Sequence, residues 1–282
     1  MFRKYIEYYR EPDLIDEAKS AATIKNYSVK YNNVSKFLYE QKLMKLKADQ
    51  FNMVLANKLV NWIKKDKSHD YGVRTAEICE CVLNFGYKNG IIDKNPLYAM
   101  SFKKKKPAPP VFLTPNEIEL IEKYEGPFKE IADTFLFQCY TGLDYTDVMN
   151  ITKTDIVTNP ADKRNYIIKP RKKTGIEAYI PYYKTTADLW SKYDYQFKKV
   201  CNQRYNAALK LIAKEVGITK RITSHIGRKT FTMIKLNYES YSMEAVSKMV
   251  GHASVKTTES FYAQVKLNLI SNELNKVGAV TA

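Results

Sequence analysis

Ser224-His-Ile-Gly-Arg-Lys-Thr-Phe231 and Val250-Gly-His-Ala-Ser-Val-Lys-Thr-Thr-Glu-Ser-Phe-Tyr-Ala263 are the two stretches on which the reading of this chain turns. In the first, His225 and Arg228 stand three residues apart at the start of a helix expected over Gly227–Leu236, so they share a face. Ser224 is placed to cap that helix, whose free N–H groups point the same way, and the ensemble suits a phosphate. In the second, Gly251-His252 ends a helix expected over Met243–Val250. Tyr262 follows ten residues later, on a helix expected over Thr257–Leu269. Singly, each residue has a plainer use: a buried His bonded to backbone, or one packing Tyr among 22. The ordered set within 38 residues is what carries weight.

The rest of the chain narrows the class. Its 282 residues leave room for about two domains, and an apolar fraction of 45% is ample for their cores. Lys and Arg number 46 against 30 Asp and Glu, a net charge of +16 that repels itself unless a polyanion sits against it. Nucleic acid or an anionic membrane is the first suspect. No apolar run approaches the roughly 18 residues of a membrane span, and the opening residues lack the apolar stretch of a signal peptide. Cys79, Cys81, Cys139 and Cys201 show no metal spacing, and a Cys-x-Cys on a helix is poor disulfide geometry. Membrane, secreted and zinc-finger classes are set aside. The expectation is a cytoplasmic protein with no cofactor and no metal.

Outward from the motifs, the sharpest discontinuity is Lys103-Lys-Lys-Lys-Pro-Ala-Pro-Pro110. Lys103, Lys104, Lys105 and Lys106 repel one another, and the prolines favour extended chain, so residues 103–113 read as a stiff basic linker. A solvated surface loop is the alternative. Residues 1–102 read as a helical domain, with helices over Thr23–Gln41, from an Asp49 N-cap to Ile63, and from Val73 to a stop at Asn89-Gly90. Residues 114–282 read as a second, mixed domain. Thr114-Pro-Asn-Glu117 is a capping signature, followed by helices Glu117–Tyr124 and Ile131–Tyr140. Two extended runs, 165–169 and 178–181, flank Pro170-Arg-Lys-Lys-Thr-Gly175 as a hairpin, and a helix is expected over Leu189–Val216. The fold class is mainly α with a small β-hairpin or sheet.

With these landmarks in place, the chain resembles the tyrosine recombinases, the phage-integrase family. That family's C-terminal signature is a helical His-x-x-Arg, a Gly-His near 24 residues on, and a nucleophilic Tyr about ten later. Upstream, Tyr140-Thr-Gly-Leu-Asp-Tyr-Thr-Asp-Val148 is similar to its first box. Lys173, eight residues before Pro181, matches its hairpin lysine. Residues 20–100 resemble its core-binding domain, and Phe112-Leu-Thr-Pro-Asn-Glu117 resembles the entry to its catalytic domain. The Arg-Lys-Lys-Thr-Gly hairpin is nearest the branch found on Bacteroidetes mobile elements.

One position departs from the pattern. The first box has Thr-Gly-Leu followed by Arg, and here that place holds Asp144. A carboxylate repels a phosphate, and losing one preorganised cation costs on the order of 10²–10³ in rate. Arg171, two residues before Lys173 on an extended strand, would project to the same face and supply the missing charge, with Asp144 bonding it or orienting a neighbour. The alternative is that Arg171 only touches DNA backbone.

The resemblance implies metal-free site-specific recombination of double-stranded DNA through a 3′-phosphotyrosine at Tyr262. Arg228 would hold two phosphate oxygens, Lys173 would protonate the leaving oxygen, His225 and His252 would assist, and Asp147 would orient a catalytic side chain. Lys103–Lys106, Lys172 and Lys229, with Lys163-Arg164 and Lys198-Lys199, would neutralise phosphates, the two domains closing on the duplex as a clamp. Val265, Leu267, Leu269, Ile270 and Leu274 form an apolar tail that, as in the family, would pack on a neighbouring subunit in a homotetramer on two sites, or fold back on its own domain. Two other readings stay open: a catalytically impaired DNA-binding relative, which Asp144 favours, and a type IB topoisomerase.

Overall fold

Helix caps set the first unit. Ser20 accepts the Thr23 N–H and starts α1′s successor: in chain order the helices are α1 (Phe2–Tyr8), α2 (Ala21–Glu40), α3 (Met53–Ile63) and α4 (His69–Lys88). The computed structural model describes residues 1–10, 19–102 and 109–262. Asp49 is not the cap of α3. It sits in a 3₁₀ turn, Ala48–Gln50, after which Phe51 turns into the core and Asn52 caps α3 by accepting the Leu55 N–H at 3.2 Å. Ser68 caps α4, which stops at Asn89 before Gly90 takes a left-handed φ of +65°. Phe37, Leu59, Val73, Ala76 and Leu83 meet in one core. Helix α1 precedes the expected bundle. Its Tyr5 and Ile6 are buried, with Tyr5 against the rings of Tyr27 and Phe85.

Contacts divide the chain into two compact units, Met1–Pro107 and Ala108–Ala282. The linker lysines Lys103, Lys104, Lys105 and Lys106 lie outside the described residues, as does the apolar tail beyond Tyr262.

In the second unit Thr114 and Glu117 form the capping box of α5 (Pro115–Glu122), each side chain bonding the other's backbone N–H at 3.3 and 2.8 Å. Helix α6 (Lys129–Thr141) is buried nearly all round, which makes it the axis of the core. Its Phe135, Leu136 and Phe137 are apolar contacts, and its Gln138 accepts the Tyr205 hydroxyl at 2.8 Å. After α7 (Tyr145–Val148) come β1 (Ile156–Thr158), β2 (Asn165–Pro170) and β3 (Glu177–Pro181), an antiparallel sheet in the order β1-β2-β3. Ile167 pairs with Ile180, and both side chains are fully buried, so the register follows the apolar face. The hairpin is as expected; the three-residue β1 is an addition to it.

The helix expected over Leu189–Val216 is two helices, α8 (Lys184–Ser191) and α9 (Asn202–Glu215). The break carries no Gly or Pro: its left-handed positions are Asp194 (φ 50°) and Tyr195 (φ 61°), held while Trp190 and Phe197 both pack on Phe137. The last helices are α10 (Ser224–Asn237), α11 (Met243–Val250) and α12 (Val255–Tyr262). Among the described residues no helix is long and apolar enough to cross a membrane, and all four cysteines are free.

Gly142 ends α6 at φ +69°, and a Cβ there would stand 2.6 Å from the Phe231 ring on α10. Gly142→Ala combines left-handed backbone cost with overpacking and should remove about 2–4 kcal/mol of stability. Urea unfolding checks this: the midpoint falls while the slope stays unchanged.

Candidate active site

Arg228 is the centre of the site. Gly227 lets α10 approach α6 closely, since a Cβ on it would come within 2.8 Å of Gln138. The neighbouring Arg228 is therefore carried into the core, 5% exposed. Its guanidinium donates from Nη1 to the Gly142 carbonyl at 2.8 Å and from Nη2 to the Val250 carbonyl at 2.5 Å. These are carbonyls at the C-terminal ends of α6 and α11, the negative ends of two helix dipoles. Both helices stop on left-handed glycines, Gly142 and Gly251. Burial and then the nearby Arg171 charge lower the Arg228 pKa to about 10, while Asp144 and Asp147 pull the other way. At neutral pH it remains a cation.

Ser224 is not the cap of α10. Thr223 holds that place, and Ser224 opens the first turn with its N–H on Asn206 Oδ1 (2.8 Å) and its hydroxyl near Asn202 Oδ1 (3.2 Å). His225 follows, on the solvent side of the same turn. Burial first, then the Lys229, Arg228 and Lys173 charges, lower its pKa, with Asp144 opposing. Lys173 is thus within electrostatic range of His225.

Arg171 and Lys173 do not lie on an extended strand. Strand β2 ends at Pro170, and residues 171–175 form a tight turn closed by the Gly175 N–H on the Arg171 carbonyl at 2.8 Å. The alternation argument therefore fails for this pair, because the two residues belong to a reversal. Lys172 and Lys173 are exposed on that turn, whereas Arg171 folds inward. Its Nη2 donates to the Asp144 carboxylate and its Nη1 to the Gly251 carbonyl at 3.2 Å. Burial works against the Asp144 charge, but Arg228 and Arg171 outweigh it and hold the carboxyl below its usual range. Asp147 accepts the Lys172 backbone N–H at 3.1 Å, so it fastens the turn's main chain rather than a catalytic side chain. Its own pKa is raised, by burial and then by the Asp144 charge.

His252 follows the Gly251 stop. Its N–H bonds the Ser247 carbonyl at 3.0 Å, and its Nδ1 pairs with the fully buried Thr258 hydroxyl at 2.9 Å. Burial, then Arg228 and Arg171, lower its pKa to about 4. Tyr262 is the last residue of α12, its side chain lying outside the described atoms. Sequence reasoning missed Thr258, and it missed the backbone acceptors of Gly142, Val250 and Gly251. A carbonyl leaves no side-chain signature; the two helix-stopping glycines were its only trace. Among the described residues no group of three or more His, Cys, Asp or Glu could hold a metal.

The His252 environment has a measurable consequence. Its folded pKa lies below the ordinary 6.5, so the unfolded chain binds the proton first as pH falls. The stability His252 contributes is present above pH 6.5 and is lost as pH falls toward about 4. An NMR titration of the His252 ring should find its midpoint near 4; a midpoint at 6 or above contradicts the packing described.

Comparison with known proteins identifies the family. Residues 112–268 match the phage integrase family, which is more than half of the chain. The tyrosine recombinase XerC of Thermodesulfovibrio yellowstonii is 22% identical over 289 residues, covering 93% of this chain and 92% of that protein. The XerC of Caldanaerobacter subterraneus subsp. tengcongensis is 23% identical, covering 77% and 66%. Among solved structures, the integrase of transposon Tn1549 in complex with circular intermediate DNA superposes with a TM-score of 0.72 at 16% identity, covering 98% of each chain. A lambda integrase dimer bound to a COC′ core site gives 0.68 at 15%, covering 92% and 94%. The family match over more than half of the chain settles the assignment: the chain belongs to the phage integrase family, the tyrosine recombinases, and is a site-specific recombinase.

Proposed function

We propose that this recombinase cuts and rejoins duplex DNA through a covalent link at Tyr262. The Tyr262 oxygen attacks the scissile phosphorus, the bond to the 5′ oxygen breaks, and a 3′-phosphotyrosine and a free 5′-hydroxyl result. The hydroxyl of another strand reverses the step, so the ester energy is kept and no cofactor is consumed. Arg228 and Arg171 bind the non-bridging oxygens, each a rigid fork of donors. His225, its pKa lowered and so neutral near pH 7, takes the phenol proton. His252 is also neutral; in the tautomer whose Nδ1 accepts from the Thr258 hydroxyl, its Nε2–H donates to a phosphate oxygen. Lys173 supplies the proton to the leaving oxygen, on a turn that Asp147 fastens.

The observation that carries this reading is Arg171. The first-box arginine is missing, yet a guanidinium from the hairpin turn bonds the side chain at that position, Asp144, and lies close enough to Arg228 to depress its proton affinity. This supports the active reading over a catalytically impaired DNA-binding relative, which Asp144 alone favours.

The excess of sixteen positive charges supports duplex DNA as the partner, gripped by Lys103–Lys106, Lys172 and Lys229. Residues 1–102 act as the core-binding domain, 103–113 as the linker and 114–282 as the catalytic domain, in a cytoplasmic protein of the Bacteroidetes mobile-element branch. The apolar tail after Tyr262 joins neighbouring subunits into a homotetramer on two sites.

A pool of nicked duplexes of randomised sequence tests the chemistry, since strand loss at the nick traps the covalent adduct. Wild type should form adducts that survive denaturation, and Tyr262→Phe none. Lys173→Ala and Arg171→Ala should slow adduct formation by about 10²–10³-fold. No adduct from wild type sinks the enzyme reading, and unchanged cleavage by Arg171→Ala sinks the replacement. Plasmid relaxation without strand exchange would point to a topoisomerase. Separately, deleting residues 265–282 should leave binding to one site intact and abolish tetramers on DNA in native gels; persistent tetramers overturn docking between subunits.

A further inference from the structure

We infer that Asp144 is the positioning residue for Arg171: its carboxylate docks the hairpin turn against the helical core, so the phosphate clamp and the leaving-group lysine arrive on one element. The inference rests on Arg171 acting as a phosphate ligand.

Position by position, the carboxylate is free for this task. Asp144 occupies the N-cap place of α7, yet its side chain makes no capping bond, unlike Asn52, Thr114 and Ser242 at the starts of their helices. It is spent instead on a residue 27 positions away. Arg171 is held at two points, Asp144 on Nη2 and the Gly251 carbonyl on Nη1. Two fixed nitrogens of a planar fork set its orientation. The stem is confined as well: a Cβ on Gly251 would lie 3.0 Å from Arg171 Cδ and 3.1 Å from the Glu177 carbonyl, and the φ of +60° adds its own restriction. A side chain at position 251 would thus crowd the Arg171 stem and strain the backbone.

The electrostatics make Asp144 necessary rather than incidental. Arg171 and Arg228 repel each other: after burial, the Arg171 charge is the next cause that lowers the Arg228 pKa. Both side chains of the Arg171–Asp144 pair are mostly shielded, 12% and 26% exposed, so the repulsion is poorly screened by water. Asp144 faces Arg228, Arg171 and His225 and offsets the first two directly. Without it, Arg171 is a partly desolvated cation pushed outward by its neighbour. Asp147 still bonds Lys172 in that case, so the turn's main chain keeps one anchor while the Arg171 side chain loses its own. Arg171 Nε adds a last point: it is buried and has no acceptor among the described residues, so the guanidinium is one hydrogen bond short before any ligand arrives.

This differs from a plan in which the clamp sits on a helix and the lysine on a separate hairpin. Here Arg171 and Lys173 share five residues of turn, and Asp144 is the helix-side half of a relocated pair.

The test is a cycle on the nicked duplexes recovered from the randomised pool. Arg171→Ala should slow adduct formation by about 10²–10³-fold, and Asp144→Ala or the isosteric Asp144→Asn by about 10-fold or more. The double variant Asp144→Ala/Arg171→Ala should be no slower than Arg171→Ala, because the first residue acts through the second. Moving the cation back, as Asp144→Arg with Arg171→Ala, should recover at least about tenfold over Arg171→Ala, a gain that a merely structural Asp144 cannot produce. Losses that multiply in the double variant, with no gain from Asp144→Arg, overturn the inference while leaving Arg171 as a phosphate ligand. If Arg171→Ala cleaves like wild type, the reading of Arg171 itself fails and this one with it. Should Asp144→Ala lose its cooperative melt, Asp144→Asn is the variant to read.

Discussion

A desolvated guanidinium organises the second unit. Moving a cation out of water costs several kcal/mol, and Arg228 is 5% exposed with a second guanidinium beside it. Hydrogen bonds to a charged donor return about 1.5–3 kcal/mol each, so the carbonyls of Gly142 and Val250 offset much of that cost. For both to be available, two helices must end at the same point in space, each with its last carbonyls unused. That is why α6 and α11 stop on left-handed glycines. Glycine is favoured there twice over: for the left-handed backbone, and because a Cβ would clash with the Phe231 ring at Gly142 and crowd the Arg171 stem at Gly251. The buried charge thus sets where helices end, and the helix ends set where the site is.

The same constraint explains the carboxylates. Asp144 and Asp147 stand one turn apart at α7, and their charges raise the proton affinity of Arg228 against the burial that lowers it. They are unequal. Asp144 is held ionised by two guanidiniums, while Asp147 is pushed up by burial and by Asp144 itself. As pH falls Asp147 therefore protonates before Asp144.

What could be read from sequence divides by range. His225 and Arg228 lie on α10, His252 follows the stop of α11 and Tyr262 ends α12, so local periodicity and one glycine stop were enough to order them. The Thr114–Glu117 box and the β2–β3 hairpin were legible for the same reason. Arg171 was named on a wrong warrant: alternation along a strand, where the chain in fact reverses. It reaches Asp144 through tertiary packing over 27 residues, and no local pattern encodes that. The break between α8 and α9 escaped because Asp194 and Tyr195 hold left-handed positions usually marked by Gly. The three-residue β1 was too short to alternate, and α1 buries only Tyr5 and Ile6.

The inverted charge at position 144 then becomes an argument about field against geometry. An arginine there would add one positive charge; Asp144 with Arg171 adds none in sum, so the centre attracts a distant phosphate less. Long-range attraction is the part of binding this chain can spare, since its +16 surplus supplies it elsewhere. What the surplus cannot supply is a donor fork fixed in angle. Three anchors on Arg171, its stem against Gly251 and its two Nη bonds, provide that fixity without any help from the ligand. Catalysis depends on donors that need no reorganisation as charge develops. A weaker field with a better-held donor is therefore compatible with phosphoryl transfer, and the carboxylate where an arginine was expected is the part of the site that does the holding.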